Sequence, residues 1–269
     1  MAAIDYESQY RPSTAIAGTD AILAGWSRDA AAYRQDRLAA GRAVLDIPYG
    51  DSARQLLDLL LPDSGTVESL ALFIHGGWWQ MGDRRDVSHF ARGLVGQGFA
   101  VALASYDLCP AVSLPTIVEQ LRRASLFLWR RHQRPLLVVG HSAGGHLTAA
   151  MAATDWPAFG GPQGLVRAAY PISGAFDLLP LLGTSMNRDW KLDANTANAL
   201  SPIHWDRPQG VAAACAVGAL ESAEFRRQSR EFSQAWGVPC SAVSRANHFT
   251  VLQGLTDPLS DLTEQLTQL

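Results

Sequence analysis

Arg134-Pro135-Leu136-Leu137-Val138-Val139-Gly140-His141-Ser142-Ala143-Gly144-Gly145-His146-Leu147-Thr148-Ala149-Ala150-Met151 runs from a short apolar stretch, through a serine flanked by glycines, into an alanine-rich stretch. The run ending at Gly140 suits a buried strand, and the segment after Ser142 suits a helix. A serine presented on so sharp a strand-to-helix turn is a nucleophile elbow, and glycine two residues before and after it keeps the strained turn clear of side chains. The five-residue spacing alone is weak, because it recurs by chance in glycine-rich chains. The strand before it and the helix after it supply the context it requires.

Outward from the elbow, strand-like and helix-like segments alternate. Arg42 to Pro48 and Gln55 to Leu61 form a possible strand pair around Tyr49-Gly50-Asp51, although periodicity leaves the second run open to helix. Leu70 to Ile74 and Phe99 to Ala104 read as buried strands, with a helix over Val87 to Gly96 between them. An amphipathic helix is predicted over Val118 to Arg131, with Leu121, Leu128 and Trp129 on one face. Past the elbow helix, which stops at Asp155-Trp156-Pro157, come strands at Val166 to Ile172 and Val211 to Val217, a helix at Glu224 to Trp236, and a strand near Cys240 to Ser244. Asp257-Pro258 reads as the start of a last helix burying Leu259, Leu262, Leu266 and Leu269. Apolar strands alternating with helices predict an α/β fold, a mostly parallel sheet covered by helices on both faces. Reactive groups then belong at the carboxyl ends of the strands. Residues 1–41, with a helix from Asp20 to Ala40, and the irregular stretch 173–208 are expected as covers near those ends. Neither is long enough to stand alone, so residues 1–269 are read as a single domain.

The composition is that of an ordinary globular protein: 48% hydrophobic, 17% charged, formal net charge −3 over 269 residues. That charge argues against nucleic acid as a partner. The start of the chain lacks a basic stretch and an apolar run, and Val211 to Leu220 falls far short of the roughly 20 residues of a membrane helix, so neither signal peptide nor membrane is expected. Cys109, Cys215 and Cys240, an odd set without close spacing, suit a reducing compartment, and the expected location is cytoplasmic. No metal-binding helix motif, cysteine cluster or phosphate loop is found, so no cofactor or metal is implied. The partner expected is a small-molecule substrate, and a homodimer is compatible with the sequence.

Serine hydrolysis needs a base, an acid that orients it, and donors for an oxyanion. Among seven histidines, His248 lies in the loop after the last strand, where the Ser, acid, His chain order puts the base. His75 and His141 read as hydrogen-bonded loop struts, His141 also lying toward the substrate; His146 reads as packed, and His89, His132 and His204 as surface positions. The acid must fall between Ser142 and His248, just past a strand. Glu221 meets both demands, Asp177 is the competitor, and Glu224 is explained as a first-turn helix acid. His75-Gly76-Gly77-Trp78-Trp79, after a strand, offers the amides of Gly77 and Trp78, joined by that of Ala143. Trp78 and Trp79 are candidate walls of the substrate site, with core packing the plain alternative for both.

These motifs resemble those of the kynurenine formamidase (arylformamidase) branch of the α/β hydrolases. The marker His-Gly-Gly-X-Trp is matched by His75 to Trp79, and the nucleophile segment by Gly140 to His146. Ser173-Gly174-Ala175-Phe176-Asp177-Leu178, the stretch Glu221 to Ser229, and even Tyr6 to Pro12 are similar as well, so the likeness spans nearly the whole chain. The resemblance implies an α/β-hydrolase fold, a triad acid at Glu221, and hydrolysis of an N-formyl arylamide such as N-formylkynurenine, a step of tryptophan catabolism. One departure is Glu221 itself, where the family usually has aspartate. The same machinery suits a carboxylesterase of small acyl esters, and a catalytically inactive binding module is the reading from a different class. The last predicts a broken triad, which this sequence does not have.

Overall fold

A computed structural model describes residues 4–269; residues 1–3 of the expected N-terminal cover lie outside the described residues. The strands are Ala43–Pro48 (β1), Leu56–Leu60 (β2), Ser69–Ile74 (β3), Phe99–Ala104 (β4), Leu136–His141 (β5), Val166–Ile172 (β6), Ala212–Ala213 (β7), Cys215–Gly218 (β8) and Cys240–Val243 (β9). They form one sheet in the order β1-β2-β4-β3-β5-β6-β8-β9, with β7 paired to β6. β1, β2 and β4 pair antiparallel, and every other pairing is parallel. This is the mostly parallel sheet expected from the alternation, in the α/β-hydrolase arrangement that the resemblance implies.

The central strands are apolar throughout because both faces are covered. Leu70, Leu72 and Ile74 of β3 turn into one core layer with Ala100, Ala102, Leu136 and Val138, while Ala71 and Phe73 turn into the other with Val101, Leu103, Leu137 and Val139. Period two is thus intact, and its two phases are equally hydrophobic. Each such leucine or valine, fully buried, contributes about 1.5–3 kcal/mol. The helices Leu114–His132 and Ala143–Ala152 serve the first layer; Arg92–Gly96 and Asp261–Thr267 serve the second. No helix among the described residues is long and apolar enough to cross a membrane.

Three elements differ from the sequence expectation, each for a local reason. The helix expected over Val87 to Gly96 is broken into 3-10 turns at Arg84–Asp86 and Ser88–Ala91 before an α turn at Arg92–Gly96. There Ser88 Oγ donates to the Arg84 carbonyl and Ser105 Oγ accepts from the Arg84 amide, side-chain bonds that compete with regular helix. The strand expected over Val211 to Val217 splits into β7 and β8, although both keep one register against β6. Ala169 C=O accepts from Ala214 N and Ser173 N donates to Ala216 C=O, so residue 171 between them also faces β8. That residue is Pro171, which has no N–H to give. The last helix begins at Asp261 under a Ser260 cap rather than at Asp257-Pro258. Asp257 instead accepts from Leu259 N in a turn, its carbonyl takes the Thr263 hydroxyl, and Leu259 is left 85% exposed.

Of the N-terminal segment, Pro12, Ser13, Leu23, Trp26 and Ser27 share a cavity with Ser142 at the carboxyl end of β5. The helix Thr19–Ala39 packs on the 84–91 turns. Tyr10 is fully buried, donates to Glu224 Oε2 at 2.8 Å, and accepts from Gln228 Nε2. Glu7 takes both the amide and the hydroxyl of Ser185, which binds the N-terminal segment to the irregular stretch 173–208.

Candidate active site

β5 delivers Ser142 at its carboxyl end with φ 56° and ψ −120°, a backbone state that costs roughly 1–3 kcal/mol and persists only where surroundings enforce it. Enforcement is visible on both sides: Ser142 N donates to the Ile172 carbonyl, and Ser142 C=O accepts from Gly145 N and His146 N. Gly144 lets the elbow helix approach β3, since a Cβ there would lie 2.1 Å from the Ile74 carbonyl oxygen.

His248 sits in a loop after β9 that is set by Asn247, whose Oδ1 accepts from Phe249 N and Thr250 N at 3.0 Å each. The imidazole is buried between Phe225, centroid to centroid 4.2 Å, and His141, 4.7 Å. Its Nδ1 lies 2.6 Å from Glu221 Oε2, and the Glu221 side chain has no solvent exposure. A carboxylate can only accept here, so Nδ1 carries the proton and Nε2 is left bare. The other Glu221 oxygen accepts from Ser173 Oγ at 2.5 Å and Gly218 N at 2.7 Å. Asp177, the competing acid, accepts from Leu179 N and lies 3.6 Å from the Arg227 guanidinium, engaged away from His248. Glu224 also belongs to Arg227 and to Tyr10.

Ser142 and His248 line one cavity of about 310 Å³, together with Trp26, Trp78, Phe249, Leu252 and Met81. Gly77 and Trp78 lie on its rim in positive-φ conformations, 107° and 53°, and a Cβ on Gly77 would meet the Met81 carbonyl oxygen at 2.3 Å. The amides of Gly77, Trp78 and Ala143 make no hydrogen bond to another described residue, which leaves them free for an anion. The Trp78 ring packs between Tyr10, Phe225 and Trp190, and its carbonyl accepts from Trp190 Nε1. Trp79, also expected as a substrate wall, is instead fully buried away from the cavity, edge-on to His146 and Trp190. The two rings touch, 5.8 Å from centroid to centroid, and share Trp190 as a neighbour, yet only Trp78 also lines the cavity. Trp26 and Phe249 went unnoticed in the sequence, because nothing local tells which side of a helix or loop meets a site built from residues far apart in the chain.

His141 lines the cavity and its Nε2 donates to the His248 carbonyl at 2.7 Å, so its Nδ1 is bare; burial and the adjacent His248 hold its pKa well below the ordinary value. His146 is packed as expected, against Trp79 with Nε2 on the Leu200 carbonyl. His89 is not a surface residue: it is buried against Phe90 beneath Trp26. His204 is exposed and His132 half-buried. Among the described residues no three His, Cys, Asp or Glu side chains are grouped to hold a metal.

Burial lowers the pKa of His75 and His146 from 6.5 to about 4, offset in part by one carbonyl contact on each and, for His75, by the Asp83 charge. The unfolded chain therefore takes up these protons first, so the stability they contribute is whole above pH 6.5 and is lost as pH falls toward 4. Near pH 5 the two protons amount to about 3 kcal/mol per pH unit. The urea midpoint is expected to be level between about pH 7 and 8 and to fall steeply below about pH 6.5. Equal midpoints at neutral pH and about pH 5 would contradict neutral, buried imidazoles.

Residues 57–159 match the family described as BD-FAE. The chain is 30% identical to a kynurenine formamidase of Danio rerio, covering 100% of this chain and 97% of that protein, and 30% identical to one of Salmo salar, covering 85% and 82%. A crystal structure from Silicibacter sp. TM1040, described as a candidate thioesterase, superposes with a TM-score of 0.91 at 34% identity, covering 98% of this chain and 100% of that one. Esterase B from Lactobacillus rhamnosis superposes at 0.65 with 20% identity over 94% of each chain, a likeness of fold.

Proposed function

The chain belongs to the kynurenine formamidase family of α/β hydrolases, and from that premise we propose that it cleaves N-formyl arylamides of the N-formylkynurenine kind through a formyl-Ser142 intermediate. In this mechanism bare His248 Nε2 takes the Ser142 proton as Oγ attacks the formyl carbon. The carbonyl electron pair moves onto oxygen, which rests on the amides of Gly77, Trp78 and Ala143. Collapse of that adduct expels the arylamine, protonated by His248. Water, deprotonated by the same imidazole, then cleaves the formyl ester and formate leaves. Glu221 holds the imidazole tautomer and stabilises its charged form throughout.

The observation that carries the substrate class is the cavity itself: Ser142 opens into a pocket walled by Trp26, Trp78 and Phe249, which suits a flat aryl leaving group. The ester reading keeps its support from the likeness, at 34% identity, to the Silicibacter protein described as a candidate thioesterase. Turnover of N-formylkynurenine measured beside p-nitrophenyl acetate separates the two. Brisk ester hydrolysis with none on the formamide would sink the arylformamidase reading.

Charge refines the expectation. Asp83 and Asp86 line the cavity and no lysine or arginine does. Asp83 is neutralised by Arg84 and Arg85, whereas Asp86 has only a 3.4 Å contact from Ser27 Oγ, and burial with the Asp83 charge raises its pKa. An ammonium group on the substrate is therefore favoured over a carboxylate alone. A formanilide bearing an aminomethyl group should outpace one bearing a carboxylate, and Asp86→Asn should narrow the ratio by about tenfold, as for a partly screened ion pair. An unchanged ratio in Asp86→Asn removes Asp86 from specificity.

We place the activity in the cytoplasm. Supporting this, Cys109, Cys215 and Cys240 are all free thiols, although Cys215 and Cys240 are register partners on β8 and β9.

A further inference from the structure

We infer that Ser173 is a positioning residue of this site, acting on His248 through Glu221; the inference rests on the triad proposed above. Ser173 follows β6 directly, is fully buried, and holds φ at +49°, in the left-handed region that favours glycine. Its amide is fixed to the Ala216 carbonyl at 2.8 Å, and its hydroxyl lies 2.5 Å from Glu221 Oε1. A strained, buried serine whose side chain meets a buried carboxylate marks a position held for what that side chain does.

Three donors meet the Glu221 carboxylate: His248 Nδ1, Gly218 N and Ser173 Oγ. The first belongs to the reacting imidazole and the second to the main chain, so Ser173 is the one side chain that holds the acid without facing the base. Glutamate has one more rotatable bond than aspartate, and a second anchor on Oε1 is what confines Oε2 to the line of Nδ1. The hydroxyl also draws charge from the carboxylate. Ser173 does not line the cavity, so substrate binding is untouched.

The test uses Ser173→Gly, which removes the hydroxyl while suiting the positive φ, alongside Ser173→Ala. The probe is phosphonylation of Ser142 by a fluorophosphonate, which needs the base but not the natural substrate. We expect labelling at neutral pH to slow by about 10- to 100-fold, the effect of losing a hydrogen bond to a charged group. For the hydrolysed substrate kcat should fall with it while KM stays unchanged. In a Glu221→Ala background, Ser173→Gly should slow labelling no further. A folded Ser173→Gly protein that labels at the wild-type rate, or that loses as much in the Glu221→Ala background, overturns the inference. Wild-type protein that resists the probe overturns the triad, and the inference with it.

Discussion

Ser142→Ala should lower kcat/KM by about 10⁴- to 10⁶-fold while leaving a folded protein, because the nucleophile is removed and nothing beside it can replace the missing oxygen. The elbow is held by main-chain bonds from Ser142 to Ile172, Gly145 and His146, all of which alanine keeps. Alanine adopts the same positive φ at about the same cost as serine, so the thermal midpoint should move little. The free amides of Gly77, Trp78 and Ala143 remain, and with them a residual rate above that in water. Adding His248→Ala to Ser142→Ala should cost almost nothing more, since a base without a nucleophile has no proton to take. The measurement is single-turnover release of formate, with far-ultraviolet circular dichroism on the same samples. A variant that retains a tenth of wild-type turnover would move the reaction away from this serine.

How far such a site can be read from sequence depends on whether its determinants are local. β3, β4 and β5 were legible because burial on both faces leaves an unbroken apolar run, and the elbow because its glycines stand at fixed spacing from Ser142. The family likeness added a reason to look at Glu221 over Asp177, and the structure now puts Asp177 beside Arg227 and Glu221 beside His248. What escaped was set by partners far along the chain. Trp78 and Trp79 are adjacent, yet Trp78 lines the cavity and Trp79 is fully buried, a difference the fold of the loop sets. Asp257-Pro258 is a sound helix start by itself, but Thr263 and Leu259 N take its polar groups and shift the start to Asp261. The break between β7 and β8 lies in Pro171, a residue on the neighbouring strand. Ser173 was seen as part of a motif, and its contact with Glu221, 48 residues on, could not be.

Glu221→Gln is the sharper test of the acid, and it should approach the loss seen for the nucleophile, about 10⁴-fold in kcat. The reason lies in the two donors on Oε1. Gly218 N can be met only by an oxygen, to which Ser173 Oγ also donates, so a glutamine here keeps its carbonyl in place and turns its NH₂ toward His248 Nδ1. Facing a donor, Nδ1 must give up its proton, and the imidazole settles into the tautomer with hydrogen on Nε2. That nitrogen is then a donor and cannot take the Ser142 proton. Glu221→Ala is expected to be milder than Glu221→Gln, because it removes the orienting carboxylate without imposing the wrong tautomer. Asp177 gives no rescue in either case, since Arg227 and Leu179 N hold it elsewhere. The ordering is read from kcat for the two variants, with imidazole nitrogen chemical shifts reporting the tautomer. If Glu221→Gln proves as active as Glu221→Ala, the oxygen is not pinned by Ser173 and Gly218; if both match wild type, Glu221 is not the acid.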